Sequence, residues 1–121
     1  MTKTTLDATI LAQFTGTERW YRHGLVKTLT FTDGVKYVAD TAGAYWLVDE
    51  LALAQLYIPE VRKESFQVWK LVLAGNGPAT LICEDGDYKE VWRKAIEYTD
   101  FPEPEITLWL TDNVIMLPSE Y

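Results

Sequence analysis

The chain has one cysteine, Cys83, and one histidine, His23, among its 121 residues. A lone cysteine excludes an intramolecular disulfide and fits a reducing compartment. A lone histidine excludes the His-Glu-x-x-His pattern, and no zinc-ligand spacing is present. No apolar run approaches the ~18 residues of a bilayer span, and Met1-Thr2-Lys3-Thr4 lacks the apolar stretch of a secretory leader. A cytoplasmic protein with no membrane partner is expected. Bases are scarce too, eleven Lys and Arg against eighteen acids. That balance argues against direct nucleic-acid binding, which takes a basic excess to neutralise phosphates. Gly75-Asn76-Gly77-Pro78 supplies two glycines, but no Lys-Ser/Thr and no helix follow, so a hairpin turn is expected there rather than a phosphate loop. No metal and no cofactor is expected.

What is present is apolar surface and unevenly placed charge. Apolar residues make up 48% and aromatic residues 13% of the chain, the mark of a globular protein with a real core. The five Trp and seven Tyr supply much buried area, and such rings also anchor interfaces. From Glu84 to Tyr121 there are ten acids and three bases, which accounts for the whole net charge of −7, while residues 1–83 are balanced. A polarised molecule of this kind selects its partners electrostatically.

Along the chain, Leu6, Ile10, Leu11 and Phe14 recur at helical spacing, with Thr4 and Asp7 as a capping pair and Thr15-Gly16 as a stop. Val26–Thr32 and Val35–Ala39 flank Asp33-Gly34, which reads as a two-residue hairpin. Ala44–Ile58 is apolar almost all round and predicts a buried central helix, with Asp49 and Glu50 on its wet stripe and Pro59 ending it. Strands are expected at Phe66–Ala74, Ala79–Glu84, Ile106–Leu110 and Val114–Leu117, with Asp112-Asn113 as a tight turn. Tyr88–Tyr98 suits a strand with Trp92, Lys94, Ile96 and Tyr98 on one face, although helical spacing is also satisfied. Asp100–Glu105, with Pro102 and Pro104, is an acidic loop. Short turns between successive strands imply an α+β fold, a mostly antiparallel sheet with the amphipathic N-terminal helix and the central helix on one face. No repeat or linker divides the chain, so a single domain over residues 1–121 is expected.

No catalytic set stands out. Cys83 alternates in phase with Leu81 and Ala79 on what reads as a core face, so it is expected to be buried rather than nucleophilic. Two segments carry binding chemistry. The run Arg19-Trp20-Tyr21-Arg22-His23 combines cations with rings, which suits an interface, a stacked anionic ligand, or an edge strand with Trp20 in the core and Arg19 and Tyr21 in water. Asp85, Asp87, Asp100, Glu103 and Glu105 are the acids best placed to act as phosphate surrogates on a basic surface, and otherwise form a solvated face.

The stretch Phe14-Thr15-Gly16-Thr17-Glu18-Arg19-Trp20-Tyr21-Arg22-His23 resembles a family of small uncharacterised bacterial proteins, a domain of unknown function often carried on plasmids, prophages and integrative elements. Thr32-Asp33-Gly34-Val35, Gly43-Ala44-Tyr45-Trp46-Leu47, Phe101-Pro102-x-Pro104-Glu105-Ile106-Thr107-Leu108 and the closing Leu117-Pro118-Ser119-Glu120-Tyr121 extend the resemblance over most of the chain. It implies no activity and no site residues. It implies genomic company, since mobile elements carry small acidic proteins that block host defence machinery.

Two functional readings follow. In the first, the chain is a non-enzymatic interaction protein whose acidic third binds a basic host protein that handles nucleic acid. In the second, Arg19, Arg22 and His23 line a pocket for an anionic small molecule, with Trp20 or Tyr21 packed on it. A homodimer joining the basic run of one copy to the acidic segment of another would use both features.

Overall fold

The computed structural model describes residues 13, 14, 16, 19–75 and 77–121. The helix expected over residues 5–14, with its cap and nearly all of its length, lies outside the described residues.

Thr32-Asp33-Gly34 is not a hairpin turn. Thr32 ends a short strand and caps a helix, α1 (Asp33–Ala42), its Oγ1 accepting from Val35 N at 3.4 Å. Asp33 sits in the first turn, where a carboxylate complements the helix dipole. Val35, Val38, Ala39 and Ala42 are the buried stripe, at helical spacing. The β-branched run that reads as a strand is overridden by what that stripe can bury. Gly43, in the left-handed conformation at φ 63°, closes the helix.

The central helix α2 (Tyr45–Tyr57) forms where expected, burying Leu47, Val48, Leu51, Ala52 and Ala54. Pro59 follows at once as the first residue of a one-turn helix, α3 (Pro59–Arg62), the helix position at which proline's missing N–H costs least.

Seven strands among the described residues form one sheet. They are β1 (Trp20–Arg22), β2 (Thr30–Thr32), β3 (Phe66–Leu73), β4 (Ala79–Glu84), β5 (Glu90–Ile96), β6 (Glu105–Thr111) and β7 (Val114–Met116), in the spatial order β1-β2-β7-β6-β3-β4-β5. Every pairing is antiparallel except β2 with β7. Asp112 and Asn113 turn β6 into β7 with φ of 52° and 62°, a conformation these two residue types tolerate.

Strand periodicity separates two faces of different character. Tyr21, Phe31, Ile115, Leu110, Leu108, Trp69, Leu71, Leu81 and Cys83 share the face covered by the helices, in register across the sheet. A buried glutamine ties the layers together. Gln67 Nε2 donates to Val61 O (3.0 Å) and to Gln55 Oε1 (2.9 Å), while its Oε1 accepts from Trp69 Nε1 (2.9 Å). Fully satisfied in this way, a buried amide specifies the docking of α2 and α3 on β3. The opposite face carries Trp20, Arg22, Thr32, Val114, Met116, Trp109, Phe66, Val68 and Lys70, away from α1, α2 and α3.

Candidate functional site

The basic-aromatic run is an edge strand, but with the opposite phase to the one expected. Tyr21 faces the helices. Its ring lies 5.7 Å from Phe31, its partner across the strands, and its hydroxyl donates to Asp33 Oδ1 at 3.0 Å. The two-residue period then sends Trp20 and Arg22 to the open face, and Trp20 is 57% exposed. Phe31 decides this phase, because it must be buried and Tyr21 is its neighbour.

His23 leaves the strand and turns inward, only 4% exposed. Its Nδ1 accepts from Leu25 N (3.1 Å) and Val26 N (3.0 Å), so Nε2 carries the proton and donates to Asp49 Oδ1 at 2.7 Å. A His-Asp pair of this kind looks catalytic on paper. Here both ring nitrogens are committed, and the pair fastens the β1–β2 connection to α2. The run therefore does not converge on one concave site: Arg22 lies on the open face, Tyr21 on the helix face, and His23 inside.

Cys83 lies on β4 with no exposed surface. Burial, reinforced by the nearby carboxylates Glu64, Glu84 and Asp85, pushes its thiol up to about 12. It remains a protonated, shielded thiol at neutral pH rather than a nucleophile.

The five singled-out acids fall into two groups. Asp85 and Asp87 occupy the turn after β4, where Asp85 Oδ1 accepts from Asp87 N (2.8 Å) and Lys89 N (2.9 Å) and so shapes the turn itself. Asp100 and Glu103 lie in the loop before β6, and Glu105 opens that strand. Glu105 pairs with Val72 and Glu84 with Val68, so the two groups lie toward opposite ends of β3. Those pairing positions alone stand about 13 Å apart at the strand rise.

The most distinctive concavity is on the open face, and sequence reasoning missed most of it. The chain end folds back as a 3-10 turn, Pro118–Glu120. Glu120 Oε1 accepts from Thr32 Oγ1 (2.6 Å) and Leu117 N (2.9 Å), and its Oε2 from Gly34 N (3.1 Å). Gly34 permits this approach, since a Cβ there would stand 2.6 Å from Glu120 Oε1 and 2.7 Å from Leu117 Cδ1. Tyr121 is set edge-on against Phe66 (5.6 Å) and Trp109 (5.4 Å), yet stays 75% exposed. Between Tyr121 and Trp20 lies a groove of about 290 Å³, floored by Val114 and Met116 of β7 and flanked by Asp112 and Glu120. Its two charged lining residues are both carboxylates. The β7 alternation, with Ile115 buried and Val114 and Met116 turned away, was the one local signal that apolar side chains reach this face.

A second cavity, about 420 Å³, lies where α2 and α3 meet the β6–β7 turn, near Gln55, Arg62, Glu64 and Gln67. Three of its polar side chains, Gln55, Arg62 and Gln67, already have structural work. Arg62 donates to Leu56 O at 3.1 Å at the end of α2, and the two glutamines bond each other.

Residues 5–121 match the model of a family of unknown function, DUF6876. The chain belongs to this family. The DUF6876 match runs from before β1 through Tyr121, so the open-face groove lies wholly within it. No curated protein and no solved structure matches the chain. Among the described residues of this DUF6876 chain, no group of three or more His, Cys, Asp and Glu could hold a metal ion, and no helix is long and apolar enough to cross a membrane.

Proposed function

We propose that this chain is a non-enzymatic binding module whose open sheet face docks a basic partner protein. The observation that carries the reading is the groove between Trp20 and Tyr121. Exposed rings, a thioether floor and two carboxylates combine there on the face opposite α1, α2 and α3. Exposed Trp and Tyr are the residue types that dominate binding energy at interfaces, and the carboxylates select for positive charge. The two outlying groups, Asp85 with Asp87 and Asp100 with Glu103 and Glu105, steer the approach of a cationic surface from a distance rather than forming the contact.

The resemblance to proteins of plasmids, prophages and integrative elements supplies a setting. In it, the partner is a basic, nucleic-acid-handling host protein met in the cytoplasm. The competing small-ligand reading asks Arg19, Arg22 and His23 to line one pocket, and the divergence of Arg22 and His23 weighs against it.

The test is capture from bacterial lysate at low salt with tagged protein, followed by elution in a salt gradient and mass spectrometry. A basic protein that elutes at moderate salt and is not retained by a Trp20→Ala/Tyr121→Ala variant supports the reading. Retention that is indifferent to salt and to both substitutions would overturn it.

A further inference from the structure

We infer that the groove between Trp20 and Tyr121 is a socket for a single arginine side chain of the partner. This rests on the binding-module reading and adds the chemistry of its anchor.

Charge selects the sign of the guest. Glu120 is held by a hydroxyl and two backbone N–H groups, all neutral donors, so its negative charge is fixed in place without being neutralised. Asp112, on the turn beside it, lines the same groove. Two carboxylates at one groove repel a phosphate and favour a cation, which argues against a nucleotide or nucleic-acid guest.

Shape selects arginine among cations. A guanidinium is planar and weakly hydrated, so it lies flat against an indole or phenol ring while its N–H edge reaches a carboxylate. The groove offers both partners, rings at Trp20 and Tyr121 and carboxylates at Asp112 and Glu120. A lysine ammonium matches the charge but lacks the flat face. The volume, about 290 Å³, falls at the lower edge of small-molecule sites, roughly 300–1,000 Å³. One long side chain fits within it.

One side of the socket is also preorganised. Tyr121 is seated against Phe66 and Trp109, and Glu120 is fixed by three hydrogen bonds. On the Tyr121–Glu120 side binding then orders little that is not already ordered, which conserves affinity.

The experiment titrates the ¹⁵N-labelled full chain, at low salt, with hexa-arginine, hexalysine and hexacitrulline peptides. Hexa-arginine is expected to shift the Trp20 indole N–H, hexalysine to bind about fivefold more weakly, and uncharged hexacitrulline to leave the spectrum unchanged. Trp20→Ala and Asp112→Asn, chosen because neither side chain is tied into a hydrogen bond or ion pair among the described residues, should each weaken hexa-arginine about three- to tenfold. Equal affinity for arginine and lysine peptides would overturn the arginine assignment. Hexa-arginine binding that survives both substitutions and maps instead to Asp100, Glu103 and Glu105 would overturn the socket while leaving the basic-partner reading intact. Absence of any binding at low salt would overturn both.

Discussion

Gly34→Ala separates two explanations of one glycine. In a hairpin turn, Gly34 would be needed for its backbone conformation, and alanine would be strained locally. In the structure it stands in the first turn of α1, where alanine is the better helix former by at most about 1 kcal/mol. What forbids a methyl group is Glu120, whose Oε1 would lie 2.6 Å from the new Cβ. The carboxylate must then give up at least one of its bonds to Thr32, Gly34 and Leu117. A hydrogen bond to a charged group is worth about 1.5–3 kcal/mol, so the net loss is about 0.5–2 kcal/mol after the helix gain. Urea unfolding of four proteins measures it: the parent, Gly34→Ala, Glu120→Ala and the double variant. With Glu120 removed, Gly34→Ala should cost less, the obstacle left being the buried Leu117 Cδ1 at 2.7 Å. An equal cost in both backgrounds would refute Glu120 as the obstacle and point to Leu117 or to the backbone at position 34.

Two further predictions concern buried groups. Cys83, its thiol raised by burial to about 12 from an ordinary 9.0, holds its proton more tightly in the folded chain than in the unfolded one. Its contribution to stability is therefore complete below about pH 9 and declines as pH rises toward 12, by about 1.4 kcal/mol per pH unit. Urea midpoints between pH 8 and pH 11 should fall less steeply for Cys83→Ala than for the parent, and parallel slopes would contradict the assignment. His23→Ala removes the acceptor of two backbone N–H groups, leaves the half-exposed Asp49 carboxylate to water, and should cost about 2–4 kcal/mol, while Asp49→Asn keeps an acceptor and should cost under about 1 kcal/mol. Similar losses for the two variants in chemical denaturation would show that the His23 ring is not the fastening described.

The elements legible in the sequence are those whose decisive contacts are local. β3 and β4 alternate clearly and are joined through Gly75 and Gly77, both at positive φ, so their pairing follows from neighbours along the chain. The Ala- and Leu-rich α2 ends where Pro59 must end it. Asp112-Asn113 is legible because its own side chains tolerate the turn it makes. Asp33-Gly34 fails the same test. The dipeptide suits either a tight turn or a capped helix, and the choice rests on contacts far along the chain: burial of the Val35, Val38 and Ala42 stripe, and Glu120 closing over Gly34.

The groove was hidden for the same reason, one step further on. Trp20 could be singled out as an exposed anchor, but its direction depends on Phe31, which meets Tyr21 only after β1 and β2 pair. Tyr121 joins the groove because β2 runs parallel to β7 and brings the chain end beside the first strand, a crossover that no local pattern announces. Counting charge placed the acids in the last third of the sequence, yet the fold sends Asp85, just past β4, and Glu105, at the start of β6, toward opposite ends of β3. The carboxylates that count at the groove, Asp112 and Glu120, are distinguished by the company they keep, not by their density along the chain. A net charge attracts a class of partner over distance. Two rings and a fixed carboxylate choose among its members at contact.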